Sequence, residues 1–212
     1  MIRIVARSFL VALLIGAASG VAQSGFKEGA AAIDRGDYAS AFKEWQPLAE
    51  QGHVIAQYNL GQLFRAGRGV AQDNVLAAYW YRRAAERDFA LAQFNLGVMY
   101  HNGDGVIQDM GEAVYWYLQA AENGHSDAQF HLGILYFNGV NQQPNQVLGA
   151  MWLEVAAKNG AGQALETLEA AREQMAADQI ETASIWPMNA PKGSSWGARL
   201  TGPADPRVVY FG

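Results

Sequence analysis

The chain has 212 residues, half of them hydrophobic, which is enough apolar material to bury a core and favours packed helices over disorder. Its 20 acidic residues outnumber its 15 basic ones, which argues against nucleic acid or an anionic membrane as partner, because both attract a basic face. There is no cysteine, so thiol catalysis, zinc–thiolate sites, disulfides and a lipid anchor on cysteine are excluded.

Residues 1–22 have the pattern of a secretory signal peptide. Arg3 and Arg7 precede an apolar stretch from Phe9 to Ala18, and small residues lead up to Ala22. The alternative is a membrane anchor, but this stretch is about half of the ~20 residues that a spanning helix needs. We therefore expect export to the periplasm, or secretion, and a mature chain with no membrane span. That chain would carry 13 basic and 20 acidic residues, a formal net charge of −7.

A degenerate helical pair is predicted next. Its first helix runs roughly over residues 25–34, and the second opens at Gly36-Asp37-Tyr38 and ends near Gly52. Atypical terminal units are expected in a stack of repeats, because they must close its open ends.

Three copies of one unit follow, with a period of 36 residues. The segment Ala-Gln-aromatic-(Asn or His)-Leu-Gly occurs at residues 56–61, 92–97 and 128–133, and 17 of the 36 positions are identical between residues 56–91 and 92–127. Such regular self-similarity predicts a repeat architecture.

Each unit reads as two helices, A and B. In helix A the apolar residues fall four apart, and a mid-helix glycine recurs at Gly61, Gly97 and Gly133. Glycine there costs about 1 kcal/mol relative to alanine, so its return predicts close packing at that point. Glycine is also expected to end helix A, for example at Gly103.

Helix B is predicted to begin at Asp109, with Glu112 placed to complete a capping box. Asp73 and Asn145 hold the equivalent cap position in the flanking units. One tryptophan per unit recurs in register. These rings would form either a ligand-stacking surface or, as we expect for large aromatics at helical spacing, filling between repeats; they are Trp80, Trp116 and Trp152.

The C-terminal part is predicted as a last, more polar helical pair over residues 161–174 and 178–186. Four of the six prolines lie between Pro187 and Pro206, which suits a flexible tail over residues 187–212. The apolar segment 208–211 is expected to be frayed, or alternatively to dock on the repeats or a partner. The predicted organisation is therefore a signal peptide (1–22), a repeat domain (23–186) and a tail (187–212).

At this point the chain resembles the Sel-1-like repeat family, which is related to the tetratricopeptide repeat. The pattern combines Ala-x-x-x-Leu-Gly, an aromatic, Gly-x-Gly-Val, Asp and Trp-Tyr-x-x-Ala-Ala; it covers residues 56–163 well and 25–55 loosely. The third unit departs from it, because residues 139–143 replace the Gly-x-Gly-Val loop and Leu153 replaces the tyrosine.

The resemblance implies an all-α, right-handed α-solenoid (superhelix) of about four to five helix pairs, with a concave face lined mainly by A helices. It also implies scaffold or adaptor work in envelope assembly, signalling or host contact. Such a surface suits another protein or an extended peptide.

A second stripe on the A helices points away from the packed Leu-Gly pair. Amide side chains both donate and accept hydrogen bonds, so this stripe could hold a peptide backbone on the concave face. Alternatively, these groups bond within the repeat or to water. The predicted peptide-binding residues are Asn59, Gln62, Asn95, Asn102, His131 and Asn138.

Catalysis, metal binding and cofactors are not expected. Ser24-Gly25-Phe26-Lys27 matches the S-x-x-K of penicillin-recognising enzymes, but the S-D-N and K-T-G partners are absent. A cysteine-rich branch of the resembled family is described as β-lactamase-like, so an envelope hydrolase is kept as the alternative. The four histidines do not fall at ligand spacing on one helix.

Overall fold

The computed structural model describes residues 24–139 and 143–185, and within these ranges the chain forms ten helices and no strand. The predicted signal peptide, the predicted tail and residues 140–142 lie outside the described residues. None of the described helices combines the length and hydrophobicity needed to span a bilayer. The helices are α1 (24–34), α2 (Tyr38–Glu50), α3 (Val54–Ala66), α4 (Asn74–Ala85), α5 (Ala90–Asn102), α6 (Met110–Glu122), α7 (Ser126–Asn138), α8 (Gln146–Lys158), α9 (Ala164–Arg172) and α10 (Ala177–Ile185).

The chain divides into two compact units, the first ending at Arg83 and the second beginning at Ala84. In the first unit α2 packs on α3 around Trp45, Leu48 and Leu60. In the second unit α5 packs on α6, α7 on α8, and α8 on both α9 and α10. Each unit buries its own apolar cluster, so the helical pairs predicted from the 36-residue period are present.

The predicted helix ends are confirmed at the positions that carry special residues. Gly67, Gly103 and Gly139 end α3, α5 and α7 in the left-handed conformation, with φ of 62°, 77° and 74°. At the other ends, Asp73 accepts a hydrogen bond from the Leu76 backbone N–H and Asn145 accepts one from that of Leu148.

The predicted capping box at α6 is half formed. Asp109 accepts from the backbone N–H groups of Gly111 and Glu112, at 2.8 and 3.1 Å. The predicted return bond from the Asp109 N–H to Glu112 is not formed, so that part of the prediction is wrong. The Asp109 N–H donates to the Tyr100 carbonyl, and Oε2 of Glu112 accepts from Nε1 of Trp116 at 3.0 Å.

The mid-helix glycines lie where side chains of helix B press against helix A. A Cβ added at Gly97 would lie 2.8 Å from Cδ1 of Tyr117, and one added at Gly133 would lie 2.7 Å from Cγ of Leu153. Gly61 meets Tyr81 in the same way, at 2.6 Å. The close packing predicted at these glycines is therefore confirmed.

The recurring tryptophans lie in the interior, as the packing interpretation expected. Trp80, Trp116 and Trp152 are 8%, 6% and 4% exposed. The alternative of a ligand-stacking surface is wrong, because the rings are covered by neighbouring helices.

A buried glutamine joins the helices of each repeat, a role that the sequence pattern did not reveal. Nε2 of Gln93 donates to the Ala85 carbonyl at 3.1 Å, and its Oε1 accepts from Nδ2 of Asn123 at 3.0 Å. Gln129 repeats both bonds, with Ala121 and Asn159. This glutamine therefore links the end of the preceding helix B to the asparagine that lies 30 positions after the glutamine itself.

Gln57 makes only the first of these two bonds. Its Nε2 donates to the Ala49 carbonyl at 3.0 Å, while its buried Oε1 has no hydrogen-bond partner within the described ranges. The glutamine link is therefore complete in the second unit and half complete in the first.

Candidate peptide-binding surface

The predicted peptide-binding residues lie on helices α3, α5 and α7. Asn59, Asn95 and His131 are half-buried, whereas Gln62, Asn102 and Asn138 are exposed. Asn59 and Gln62 belong to the first unit and the other four to the second. Whether these residues bind a peptide stays a prediction, and we call them the A-helix stripe.

His131 lies in an aromatic cluster within the second unit. Its ring stacks on Tyr117, with centroids 5.2 Å apart and planes at 8°, and lies 5.6 Å from Phe94. Phe94 stacks in turn on His125 at 4.5 Å, and Tyr117 meets His101 edge-on at 6.3 Å. Three of the four histidines thus gather around two rings. Reading each helix separately missed this, because the cluster draws residues from α5, α6, α7 and the turn before α7.

This cluster is built for neutral rings. Burial lowers the pKa of His131, and the nearby imidazoles of His101 and His125 act in the same direction, while Asp127 opposes them. Burial also lowers the pKa of His125, again against Asp127. Burial likewise raises the pKa of the Tyr117 hydroxyl. The aromatic cluster around Phe94 and Tyr117 therefore consists of uncharged groups.

His125 also caps α7, which sets its protonation state. Its Nδ1 accepts a hydrogen bond from the Ala128 backbone N–H at 3.4 Å, so the acceptor nitrogen must be unprotonated. His53 caps α3 in the same way through the Ala56 N–H. These two histidines act as helix caps.

A pocket of about 270 Å³ opens in the second unit, between α7, α8 and α9. One residue of the A-helix stripe, Asn138, lines it together with Ile134, so the structure places part of the predicted surface in a concavity. The remaining lining residues are Phe137, Leu153, Thr167, Ala170, Ala171 and Gln174.

The pocket exists because the 36-residue register continues into α9 with smaller side chains. Leu153 stands 36 residues after Tyr117, and Thr167 stands 36 residues after His131. Ala164 and Leu168 are buried like their equivalents in α7, which confirms the register. The stacked ring pair of Tyr117 and His131 is thus replaced by an aliphatic and a hydroxyl side chain, and this leaves a concavity.

The described residues offer no arrangement typical of catalysis at the S-x-x-K match. Ser24 and Lys27 are both exposed on α1, and the Ser24 hydroxyl donates to Oε1 of Glu28 at 2.7 Å. The enclosed cleft that a hydrolase would need is not formed around them. Within residues 24–139 and 143–185, no group of three or more His, Asp or Glu side chains could hold a metal ion.

Comparison with protein families matches the Sel1 repeat to residues 54–89, 90–125 and 126–160. A Sel1 repeat protein from Oxalobacter formigenes has a similar solved structure, with 34% identity, a TM-score of 0.65 and coverage of 69% of this chain and 60% of that one. A second is a protective antigen present in uropathogenic Escherichia coli strains that displays an SLR fold. That match has 31% identity, a TM-score of 0.69 and coverage of 82% of this chain and 40% of that one.

This chain therefore spans less than two thirds of the length of either solved relative. A search of curated proteins found no match. The similarity to these solved structures confirms the predicted α-solenoid fold class.

Proposed function

This chain belongs to the Sel1 repeat family, and we propose that it is a non-enzymatic scaffold that binds another protein or an extended peptide in the bacterial envelope. Sel1 repeat proteins are generally protein-interaction scaffolds. The finer proposal is that binding uses the A-helix stripe and serves the regulation of a signalling or assembly complex.

One observation supports the proposal above the others: the packing between helices uses one set of positions and leaves another set at the surface. The buried glutamines, the mid-helix glycines and the tryptophans hold each repeat together. Three members of the A-helix stripe lie outside that set and are exposed, namely Gln62, Asn102 and Asn138. Exposed amides suit a peptide backbone, because each offers a donor and an acceptor.

Affinity capture from envelope extracts tests this proposal. We expect Asn59→Ala with Asn95→Ala, and separately Gln62→Ala with Asn102→Ala, to lose partners that the wild-type chain retains. The matched control is Gln46→Ala with Gln163→Ala, which removes two exposed amides outside the stripe. Circular dichroism establishes that each variant is folded. Unchanged capture by both folded stripe variants would contradict the proposed binding surface.

Export to the periplasm is the second part of the proposal, and it rests on the signal-peptide pattern of residues 1–22. We expect the mature chain in the osmotic-shock fraction, with Gln23 at its N-terminus by mass spectrometry. An unprocessed chain that stays in the cytoplasm would contradict it.

A secreted factor that contacts a host protein is the second candidate. The likeness to a protective antigen of uropathogenic Escherichia coli favours it. Finding the mature chain mainly in the culture supernatant, and not in the periplasmic fraction, would select this candidate over the first.

A further inference from the structure

The pocket between α7, α8 and α9 has the size of a side chain. Small-molecule sites usually enclose about 300–1,000 Å³, and this concavity holds about 270 Å³. Its walls are mostly hydrocarbon, from Ile134, Phe137 and Leu153, and the polar residues Asn138 and Gln174 also line it. An apolar wall beside amides suits one large apolar side chain attached to a peptide backbone.

The contact between the second and third repeats shows which group fits at this position. There, the equivalent positions hold the stacked rings of Tyr117 and His131, whose centroids are 5.2 Å apart. Between the third repeat and α9, Leu153 and Thr167 occupy the same register and supply no ring. A planar ring brought by a partner would restore the packing that Tyr117 and His131 provide one repeat earlier.

The surroundings of the pocket are acidic. Residues 143–185 contain six acidic and two basic side chains, a formal net charge of −4. Both basic groups, Lys158 and Arg172, pair with Glu154, at 3.3 and 3.1 Å. The other five acids are exposed, and three of them form a stripe along α9 and the turn that follows it: Glu166, Glu169 and Glu173.

This acidic stripe borders the pocket. Glu166 and Glu169 each precede a lining residue of α9 by one position, and so lie about 100° around the helix from it, on the same side. Glu173 likewise precedes the lining residue Gln174, in the turn after α9. Exposed carboxylates along one side of an apolar pocket complement lysine or arginine side chains next to the residue that enters it.

We propose that this pocket is a specificity site for a partner peptide that inserts one aromatic side chain and carries lysine or arginine beside it. The inference deepens the proposed function and depends on it, because it names the partner chemistry of one part of the same surface. The backbone of such a peptide would run past Asn138 and Gln174, which both line the pocket.

Selection of random dodecapeptides displayed on phage, with the full-length mature chain as bait, tests the proposal. Two blocked variants serve for counter-selection. In Leu153→Tyr with Thr167→His, the rings of the second repeat are built into the pocket, and Tyr is tolerated against a helix glycine at the equivalent Tyr117. Ala170→Trp, at an exposed lining position, fills the pocket independently if the first variant fails to fold. The matched control, Leu153→Met with Thr167→Ser, leaves the pocket open.

We expect the enriched peptides to share an aromatic residue flanked by basic ones. Synthesised with a fluorescent label, they should bind the blocked variants at least about tenfold more weakly than the wild type or the control, by fluorescence anisotropy, because a buried aromatic anchor dominates such contacts. Replacing their basic residues by serine should weaken binding and its salt dependence.

Three results would overturn the proposal: no enrichment, enriched peptides without an aromatic residue, or equal affinity for the open and blocked proteins. The proposed function has a separate readout. If the blocked variant still captures envelope partners that the A-helix stripe variants lose, the scaffold proposal stands and the pocket has no part in it.

Discussion

Where the second repeat meets the third, the ring of Tyr117 lies under that of His131, whereas where the third repeat meets α9 the same two positions hold Leu153 and Thr167 beside a pocket. Around these positions the two repeats are built alike. Each has a buried glutamine with bonds at both ends, a helix glycine against helix B and a buried tryptophan.

The difference teaches that one set of positions maintains the fold and another sets what the surface can hold. With Tyr117 and His131 at these two positions the rings stack, and with Leu153 and Thr167 there is a pocket, while the register of the helices is the same. Substitutions at each set of positions test whether stability and binding can be changed separately.

The largest effect is expected from giving the contact between the second and third repeats the side chains found between the third repeat and α9. Tyr117→Leu with His131→Thr should lower the free energy of unfolding by about 3 kcal/mol, because it removes two packed rings and leaves a cavity. Leu153→Tyr with Thr167→His should change it by less than about 1 kcal/mol, because open space receives the rings. Denaturant unfolding measures both free energies. Similar losses of stability in the two variants would contradict the interpretation that one site is filled and the other is open.

A somewhat smaller effect is expected at the helix glycines, which are common to both repeats. Gly133→Ala should cost about 2 kcal/mol, since the new Cβ would meet Cγ of Leu153 at 2.7 Å and its backbone N at 3.0 Å. Gly97→Ala should cost a similar amount. Gly162→Ala is the control, because its Cβ would meet nothing within 4 Å, and thermal unfolding should show it within about 0.5 kcal/mol of wild type. A neutral Gly133→Ala would refute the close-packing interpretation.

The glutamine link should contribute equally in the two repeats. Gln93→Leu and Gln129→Leu should each cost about 2 kcal/mol, because each leaves a carbonyl and an asparagine amide without a partner. Gln57→Leu should cost less, since only the Ala49 carbonyl loses a bond. Urea unfolding of the three variants tests this ranking, and a larger loss at Gln57 would reverse it.

The smallest effect is a pH dependence of the free energy of unfolding, which arises from the histidines of the aromatic cluster. Because burial holds the pKa values of His125 and His131 in the folded chain below the usual histidine value of about 6.5, the unfolded chain takes up protons that the folded chain excludes. Stability is therefore full above about pH 6.5 and falls as the pH drops below it. Unfolding measured between about pH 7.5 and 5.5 should show this loss, and His131→Thr should reduce its slope. A stability that rises on acidification would contradict the assignment.

Much of the fold could be predicted from the sequence because the determinants are local and recur. A 36-residue period, glycines at helix ends, and asparagine or aspartate caps each act within one helical pair, and they located α2 to α8. The helix glycine and the tryptophan were interpreted correctly as packing residues, since their size leaves little choice in a regular stack.

The rest depended on which residues of different helices meet. In the sequence Gln93 is only one residue of the recurring motif. Its structural role could not be predicted, because its partner Asn123 lies 30 residues away. The histidine cluster and the half-formed capping box at Glu112 also depend on contacts between elements. The pocket was missed because α9 was interpreted as a polar end cap; carrying the 36-residue register on to Thr167 would have located it.

We infer that the exposed positions of the A helices face a partner, while the recurring glutamine, glycine and tryptophan positions hold the repeats together. Chemical-shift mapping tests it most directly: backbone amide signals of the mature chain are recorded while a selected aromatic, basic dodecapeptide is added. We predict saturable shifts confined to α7, α8, α9 and the turn after α9, centred on Ile134, Asn138, Thr167 and Gln174. Saturable shifts centred instead on the surface of α6 or α10, with those four residues unmoved, would contradict it.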